Sequence, residues 1–173
     1  MAIPIFGSGE MFINTKGSII YTITFDYLDP EKEYYKIIKT SLKQKEENRI
    51  KKEMQKQLIN EKTILNEKYE FPSVKHAEIG VKNVTKISFA RFYIEIPWTP
   101  KVGKNIYENI HDETVSEYSY TVSLILPGCG RFVDVEMPGN IAIKDNYAFI
   151  YVPKGTKING YESFIFEISN ECV

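Results

Sequence analysis

Apolar and polar residues alternate along most of this chain, which is the pattern of β-strands with one buried face. Between Gly17 and Tyr27, the side chains of Ile19, Tyr21, Ile23 and Phe25 alternate with small or polar ones. Such β-branched and aromatic residues favour strands. The same pattern predicts further strands at 84–97, 118–126, 131–137, 140–143, 147–152 and 164–168, with a hairpin between 140–143 and 147–152. Short strands at regular spacing predict an antiparallel β-sandwich or barrel.

Residues 30–69 have a different character and follow the first predicted strand. After Pro30 this segment contains neither Pro nor Gly, and it is rich in Lys, Glu, Gln, Leu and Ile, which favour helices. Asp29 and Pro30 suit the cap and the first position of a helix. One unbroken helix of this length would be about 60 Å long, whereas a compact domain of this size has a radius of gyration of about 16 Å. We therefore expect the segment to fold back, to project as an arm, or to pack on another molecule.

The fold class predicted from these patterns is α+β. It consists of a predominantly antiparallel sandwich or barrel with a long helical insertion, and residues 1–173 form a single domain. A capping-box pattern at Ser41–Gln44 leaves open whether 30–69 is one helix or a hairpin of two. We interpret Gly7-Ser8-Gly9 as a flexible N-terminal turn, because it matches neither a P-loop nor a dinucleotide-binding motif.

The apolar residues of the helical segment are sparse and form two patches rather than a coiled-coil seam. About one apolar residue per turn suits a helix that lies on a sheet or packs lightly on a partner. We therefore predict a non-catalytic structural or interaction subunit that self-associates or joins a larger complex. The predicted contact residues are Tyr34, Ile38, Leu42, Ile50, Met54, Leu58 and Leu65.

The charge distribution supports an alternative partner. The formal net charge is −1, but 30–69 holds more basic than acidic residues and the rest of the chain holds more acidic ones. The alternative function is an accessory nucleic-acid-binding protein that uses the basic face of the helix. Its contact residues would be Lys39, Lys43, Lys45, Arg49, Lys52 and Lys56. Glu46, Glu47 and Glu53 interrupt this basic face, which favours the protein-interaction hypothesis.

The chain has two His and two Cys, few of the residues that catalysis and metal binding use most. His76 with Glu78, or His111 within an acidic tripeptide, would offer metal ligands, but we interpret both histidines as surface residues near turns. Cys129 lies in a Pro-Gly-Cys-Gly turn with no recognisable base beside it. The sequence therefore predicts no enzyme activity, no cofactor, no metal site and no small-molecule substrate.

The N-terminal residues lack the basic and apolar regions of a signal peptide, and no apolar run reaches the ~18 residues that a membrane span needs. Two cysteines are too few for a disulfide scaffold. These features predict a cytoplasmic protein. The sequence leaves open the oligomeric state, the partner and the pathway.

Overall fold

Two β-sheets lie face to face around a shared core in the computed structural model, which describes residues 1–172. The strands are β1 (Ile3–Asn14), β2 (Ser18–Leu28), β3 (Lys62–Leu65), β4 (Lys68–Glu70), β5 (Ser73–Val81), β6 (Ile87–Pro97), β7 (Gly103–Ile110), β8 (Thr114–Val115), β9 (Ser119–Ile125), β10 (Gly130–Glu136), β11 (Asn140–Lys144), β12 (Tyr147–Val152), β13 (Lys157–Ile158) and β14 (Tyr161–Ile168). The helices are α1 (Glu33–Ile37) and α2 (Leu42–Asn60), and a short 3-10 turn, Asn170–Cys172, follows β14.

The larger sheet has seven strands in the order β11-β12-β9-β1-β2-β6-β5, and the smaller has five in the order β10-β14-β7-β3-β4. All neighbouring pairs are antiparallel except β1 and β9, which run parallel. Neither sheet closes on itself, so the fold is a β-sandwich-like α+β arrangement and not a closed barrel. Strands β8 and β13 form a separate two-stranded ribbon.

Alternation decides which side chains fill the core. In β6, Phe92, Ile94 and Ile96 are buried between the sheets, while Arg91 and Tyr93 lie on the outer face. The alternation that predicts a strand at 84–97 therefore corresponds to an apolar inner face and a more polar outer face. Removal of such apolar side chains from water contributes about 1.5–3 kcal/mol each. The predicted hairpin between β11 and β12 is also present.

The N-terminal residues form a strand, so the prediction of a flexible turn at Gly7-Ser8-Gly9 is wrong. Strand β1 lies in the middle of the seven-stranded sheet, between β9 and β2. The glycines are needed there because a Cβ atom on Gly9 would come within 2.8 Å of the hydroxyl oxygen of Tyr21. A Cβ on Gly7 would lie 3.2 Å from the ring of Tyr118. The helical insertion consequently follows the second strand rather than the first.

The helical part of 30–69 is shorter than predicted, since 62–65 and 68–70 are the strands of a hairpin in the five-stranded sheet. Helix α1 begins at Glu33, three residues later than the predicted start at Pro30, with Lys32 at the cap position. Asp29 nevertheless binds the first turn of the helix. The buried carboxylate of Asp29 accepts hydrogen bonds from the backbone N–H groups of Glu33 (3.0 Å) and Tyr34 (2.9 Å). The segment therefore folds back onto the sandwich instead of projecting as an arm.

Helix α2 covers the edge strand β5 of the seven-stranded sheet. Three side chains spaced four residues apart on one helix face, Glu47, Lys51 and Gln55, hydrogen-bond to backbone groups along this edge. The partners are the carbonyls of Pro72 and Lys75 and the N–H groups of Val74 and Ile79, at 2.8–3.2 Å. An uncovered edge strand can pair with other chains, so these side chains occupy positions that a further strand would otherwise use.

Cys129 and Cys172 form a disulfide, with their Cα atoms 5.7 Å apart. It joins the turn before β10 to the 3-10 turn after β14. Disulfides persist mainly in oxidising compartments, so the cysteines no longer support the predicted cytoplasmic location. Among residues 1–172, no helix is long and apolar enough to cross a membrane.

Candidate functional site

A cleft of about 310 Å³ lies between the two sheets and is the strongest candidate for a functional site. Strands β1, β2 and β9 form one wall, and β3, β7 and β14 form the other. The C-terminal turn of α2 contributes Leu58 to the lining. The space exists partly because Gly7 and Gly9 present no side chains to it.

Aromatic side chains make up much of the cleft walls. Tyr21, Phe25 and Tyr120 come from the seven-stranded sheet, and Tyr107 comes from the five-stranded sheet. Tyr107 stacks on Phe164 with 4.5 Å between the ring centroids, which fixes the orientation of its phenol. The cleft is therefore lined by broad apolar surfaces that carry a few hydroxyl groups.

Polar groups concentrate where three neighbouring strands meet the end of α2. Thr63, Asn109 and Glu162 lie side by side across β3, β7 and β14. Glu61, the residue after α2, accepts a hydrogen bond from the side-chain amide of Asn109 at 3.1 Å. This arrangement brings two carboxyl groups, those of Glu61 and Glu162, to the same cleft.

The carboxyl group of Glu162 lies beside His111 and is largely covered, with 19% of its side chain exposed. Burial raises its pKa, the nearby imidazole of His111 lowers it, and the negative charge of Glu61 raises it further. The Nε2 atom of His111 lies 3.9 Å from Glu162 Oε1. The other ring nitrogen, Nδ1, is 2.9 Å from the carbonyl oxygen of Asp112, which can only accept, so Nδ1 carries a hydrogen.

The tyrosine hydroxyls in the cleft stay neutral at physiological pH. Burial raises the pKa values of Tyr21, Tyr107 and Tyr120 far above their ordinary value, and the charge of Glu162 adds to the effect in all three. A neutral phenol offers both a hydrogen-bond donor and an aromatic face. The cleft can therefore hold an apolar molecule and satisfy a polar group on it.

The predicted contact residues of the helical segment face mostly into the chain's own core. Ile50, Met54 and Leu65 are buried, and Tyr34, Ile38 and Leu58 pack partly covered against the same cluster. Leu42, by contrast, is 53% exposed. Met54 and Leu58 also line the cleft. Most of this set therefore stabilises a single chain rather than presenting a free surface on the helix.

The predicted nucleic-acid contacts lie on the solvent side of the helical segment, but half of them are engaged by neighbours. Arg49 binds Glu46 at 2.8 Å and Glu53 at 2.6 Å. Lys43 pairs with Glu47 at 3.5 Å, and Lys39 contacts its helical neighbour Tyr35. The remaining members of the set, Lys45, Lys52 and Lys56, are exposed.

Other residues considered from the sequence fall in separate places. His76 stacks on Tyr93 on the outer face of the seven-stranded sheet, with ring centroids 5.7 Å apart. Glu78, which shares a strand face with His76 in the sequence pattern, pairs with Arg91 at 3.2 Å. Cys129 is in the disulfide. Within residues 1–172, no three His, Cys, Asp or Glu side chains are grouped as a metal site would require.

The sequence did not reveal the cleft because its lining comes from segments far apart in the chain. Glu61 follows a helix, while Glu162 and Asn109 are paired across strands separated by about fifty residues. His111 was interpreted as a surface residue, yet it lines the cleft. The one local signal was the pair Gly7 and Gly9, whose spacing of two places both on the same strand face.

No protein-family model matches this chain, and no curated protein matches it in sequence. Solved structures give only distant likenesses. An M1 zinc metallopeptidase from Deinococcus radiodurans aligns with a TM-score of 0.37 and 8% identity over 96% of this chain, which spans 42% of that protein's chain. The folded domain of LppM from Mycobacterium tuberculosis aligns with a TM-score of 0.41 and 9% identity over 98% of this chain and 93% of its own. At these TM-scores the likenesses carry no functional argument.

Proposed function

We propose that this protein is a non-catalytic binding module that holds a small, largely apolar molecule between its two sheets. The observation that carries this proposal is the aromatic-lined cleft of about 310 Å³. Ligand pockets typically measure about 300–1,000 Å³ and combine apolar walls with a few polar groups. This cleft has the same character and lies at the lower end of that range.

The chemistry around the cleft favours binding over catalysis. Both cysteines are in a disulfide and offer no thiolate. The ring nitrogens of His111 face the Asp112 carbonyl and the Glu162 carboxyl rather than a hydroxyl nucleophile. His76 lies on the opposite face of the seven-stranded sheet. A role without catalysis, as the sequence predicted, is therefore part of the proposal.

Binding of N-phenyl-1-naphthylamine, a neutral apolar fluorophore, tests the proposal directly. We expect saturable fluorescence enhancement with one site per chain. Leu58→Trp should weaken binding at least ten-fold, because the larger side chain fills the cleft. Leu42→Trp is the matched control, since Leu42 is an exposed residue of the same helix and lies outside the cleft lining. Absence of saturable binding, or equal loss in both variants, would overturn the proposal.

A second candidate function is self-association, which the sequence predicted through the helical segment. The observation that favours it lies elsewhere, on the outer face of the seven-stranded sheet. Tyr147, Ile125, Phe12 and Ile20 form one row in register across four adjacent strands. Three of them are 41–55% exposed, namely Tyr147, Phe12 and Ile20. A second copy of the chain would cover this row.

Light scattering after size exclusion tests this candidate. We expect a dimer or larger species for the wild-type protein and a lower mass for Phe12→Lys. Phe71→Lys is the control, because Phe71 is 81% exposed but lies outside the row. A wild-type monomer at high concentration would exclude self-association. The nucleic-acid alternative stays a prediction that no structural observation favours, since Arg49 and Lys43 are paired with glutamates.

A further inference from the structure

The polar end of the cleft carries negative charge. Glu61 and Glu162 both line it, and within residues 1–172 the partly buried Glu162 has one ion-pair partner, His111, whose Nε2 atom is 3.9 Å away. A carboxylate that is removed from water is costly unless an opposite charge or a hydrogen-bond donor compensates it. The amide of Asn109 donates to Glu61, so Glu162 is the carboxyl group that a ligand would compensate.

The end of helix α2 adds to this negative potential. The last turn of a helix carries partial negative charge on its free carbonyl groups, and cations are favourable there. The last turn of α2 contains no basic residue. Gln57 and Leu58 from this turn line the cleft, and Glu61 follows directly. The position that a lysine or arginine often occupies at a helix end is open to a positively charged ligand.

The aromatic walls suit the same kind of ligand. The faces of tyrosine rings attract cations within about 6 Å of the ring centroid, more strongly where water is excluded. Tyr21, Tyr107 and Tyr120 lie in the cleft, and the charge of Glu162 acts on all three phenols. The carboxyl groups and the rings therefore belong to one site rather than two.

From this arrangement, and resting on the proposed binding function, we propose that the ligand is an apolar amine. Its ammonium group would lie against Glu162 and Glu61, and its hydrocarbon body would lie along Tyr21 and Tyr107. An anionic ligand would meet two carboxylates and the helix C-terminus. A neutral alcohol would bring no positive charge to the partly buried carboxylate of Glu162.

Competition against bound N-phenyl-1-naphthylamine separates these ligand classes. The competitors are n-octylamine, n-octanol and octanoate, which share one chain length and differ in charge at pH 7. We expect octylamine to displace the fluorophore at a concentration about ten-fold lower than octanol, since a charge-assisted contact is worth roughly 1.4 kcal/mol or more. Octanoate should be the weakest competitor.

Two variants assign the preference to the cleft. Glu162→Gln keeps the shape of the side chain and removes its charge, so it should reduce the advantage of octylamine over octanol by at least three-fold while octanol itself competes as before. Glu136→Gln is the control, because Glu136 is an exposed glutamate of β10 outside the cleft lining. It should leave all three competitors unchanged.

The outcomes distinguish the two proposals. If the fluorophore binds and octanol competes as well as octylamine, the amine proposal is wrong and the binding function stands. An octylamine preference that survives Glu162→Gln would also overturn it, because the charge would then act elsewhere. If the fluorophore does not bind to the wild-type protein at all, both proposals fail.

Discussion

Gln55 provides a sharp test of how helix α2 stabilises the sandwich. Its side-chain amide donates to the carbonyl oxygen of Pro72 at 3.0 Å and accepts from the N–H group of Val74 at 2.8 Å. Gln55→Ala removes both hydrogen bonds and leaves the apolar contacts of Ile50 and Met54 in place. We expect this substitution to destabilise the protein, although alanine is the better helix former.

The magnitude follows from the burial of the two backbone groups. A hydrogen bond contributes about 1 kcal/mol net, and a buried donor left without a partner costs about 1–3 kcal/mol. Val74 is 4% exposed, so its N–H group would become a buried donor without a partner. Pro72 is half-buried, and water can reach its carbonyl more easily. We therefore expect Gln55→Ala to lower the free energy of unfolding by about 2–4 kcal/mol. The higher helix propensity of alanine should offset a few tenths of a kcal/mol of this loss.

Urea unfolding measures this loss, with Lys52→Ala as the control on the exposed side of the same helix. The control should change the free energy of unfolding by no more than about 0.5 kcal/mol. Amide hydrogen exchange adds a local readout, because the Val74 N–H should exchange faster in Gln55→Ala. Equal stability of the two variants, or unchanged protection of Val74, would refute the view that α2 holds the edge of β5 through these bonds.

Two further predictions concern titration and the disulfide. Burial raises the pKa of Glu162 in the folded protein above its value in the unfolded chain. At a pH between these two pKa values, the folded state binds more protons than the unfolded state. The free energy of unfolding therefore falls as the pH rises through the folded-state pKa of Glu162. The stability of Glu162→Gln relative to wild type should therefore be greater at pH 7 than at pH 3.5, by about 1.4 kcal/mol for every pH unit between the two pKa values. Thermal melts measure this difference, and a difference that does not change with pH would contradict the prediction. His111 and Glu61 are the other ionisable side chains that face this carboxyl group. The disulfide Cys129–Cys172 closes a loop of 43 residues. Its reduction should lower the free energy of unfolding, measured with urea, by about 4 kcal/mol. Detection of two free thiols in the denatured but unreduced protein would disprove the bond.

The sequence allowed the strands of the body to be predicted because their alternation is a local property. Phe92, Ile94 and Ile96 show their inward orientation in the sequence alone. The β3–β4 hairpin was missed because its flanks are rich in Lys and Glu. Its signal was the two-residue loop Asn66-Glu67, where both residues adopt positive φ (51° and 68°), as the tight turns of hairpins require.

Strand β1 and the cleft depend on contacts that no local pattern records. Gly7 and Gly9 weaken strand propensity, and only the tyrosine side chains above them explain why glycine is there. The same holds for Glu162 and Glu61, which come together through the pairing of β14, β7 and β3. The long helix was predicted from composition, but its attachment to β5 depends on polar side chains that would normally be assigned to solvent.

The central position of β1 has a consequence for how the chain folds during synthesis. Its partner on one side, β2, follows immediately, whereas its partner on the other side, β9, begins about a hundred residues later. Until β9 leaves the ribosome, one edge of the β1–β2 hairpin has no strand beside it. Long-range pairing of this kind slows folding and exposes nascent chains to aggregation. We therefore expect synthesis that stalls before Ser119 to yield fragments that lack three of the seven strands of the large sheet and leave one edge of β1 open. Such fragments should depend on chaperones until translation resumes.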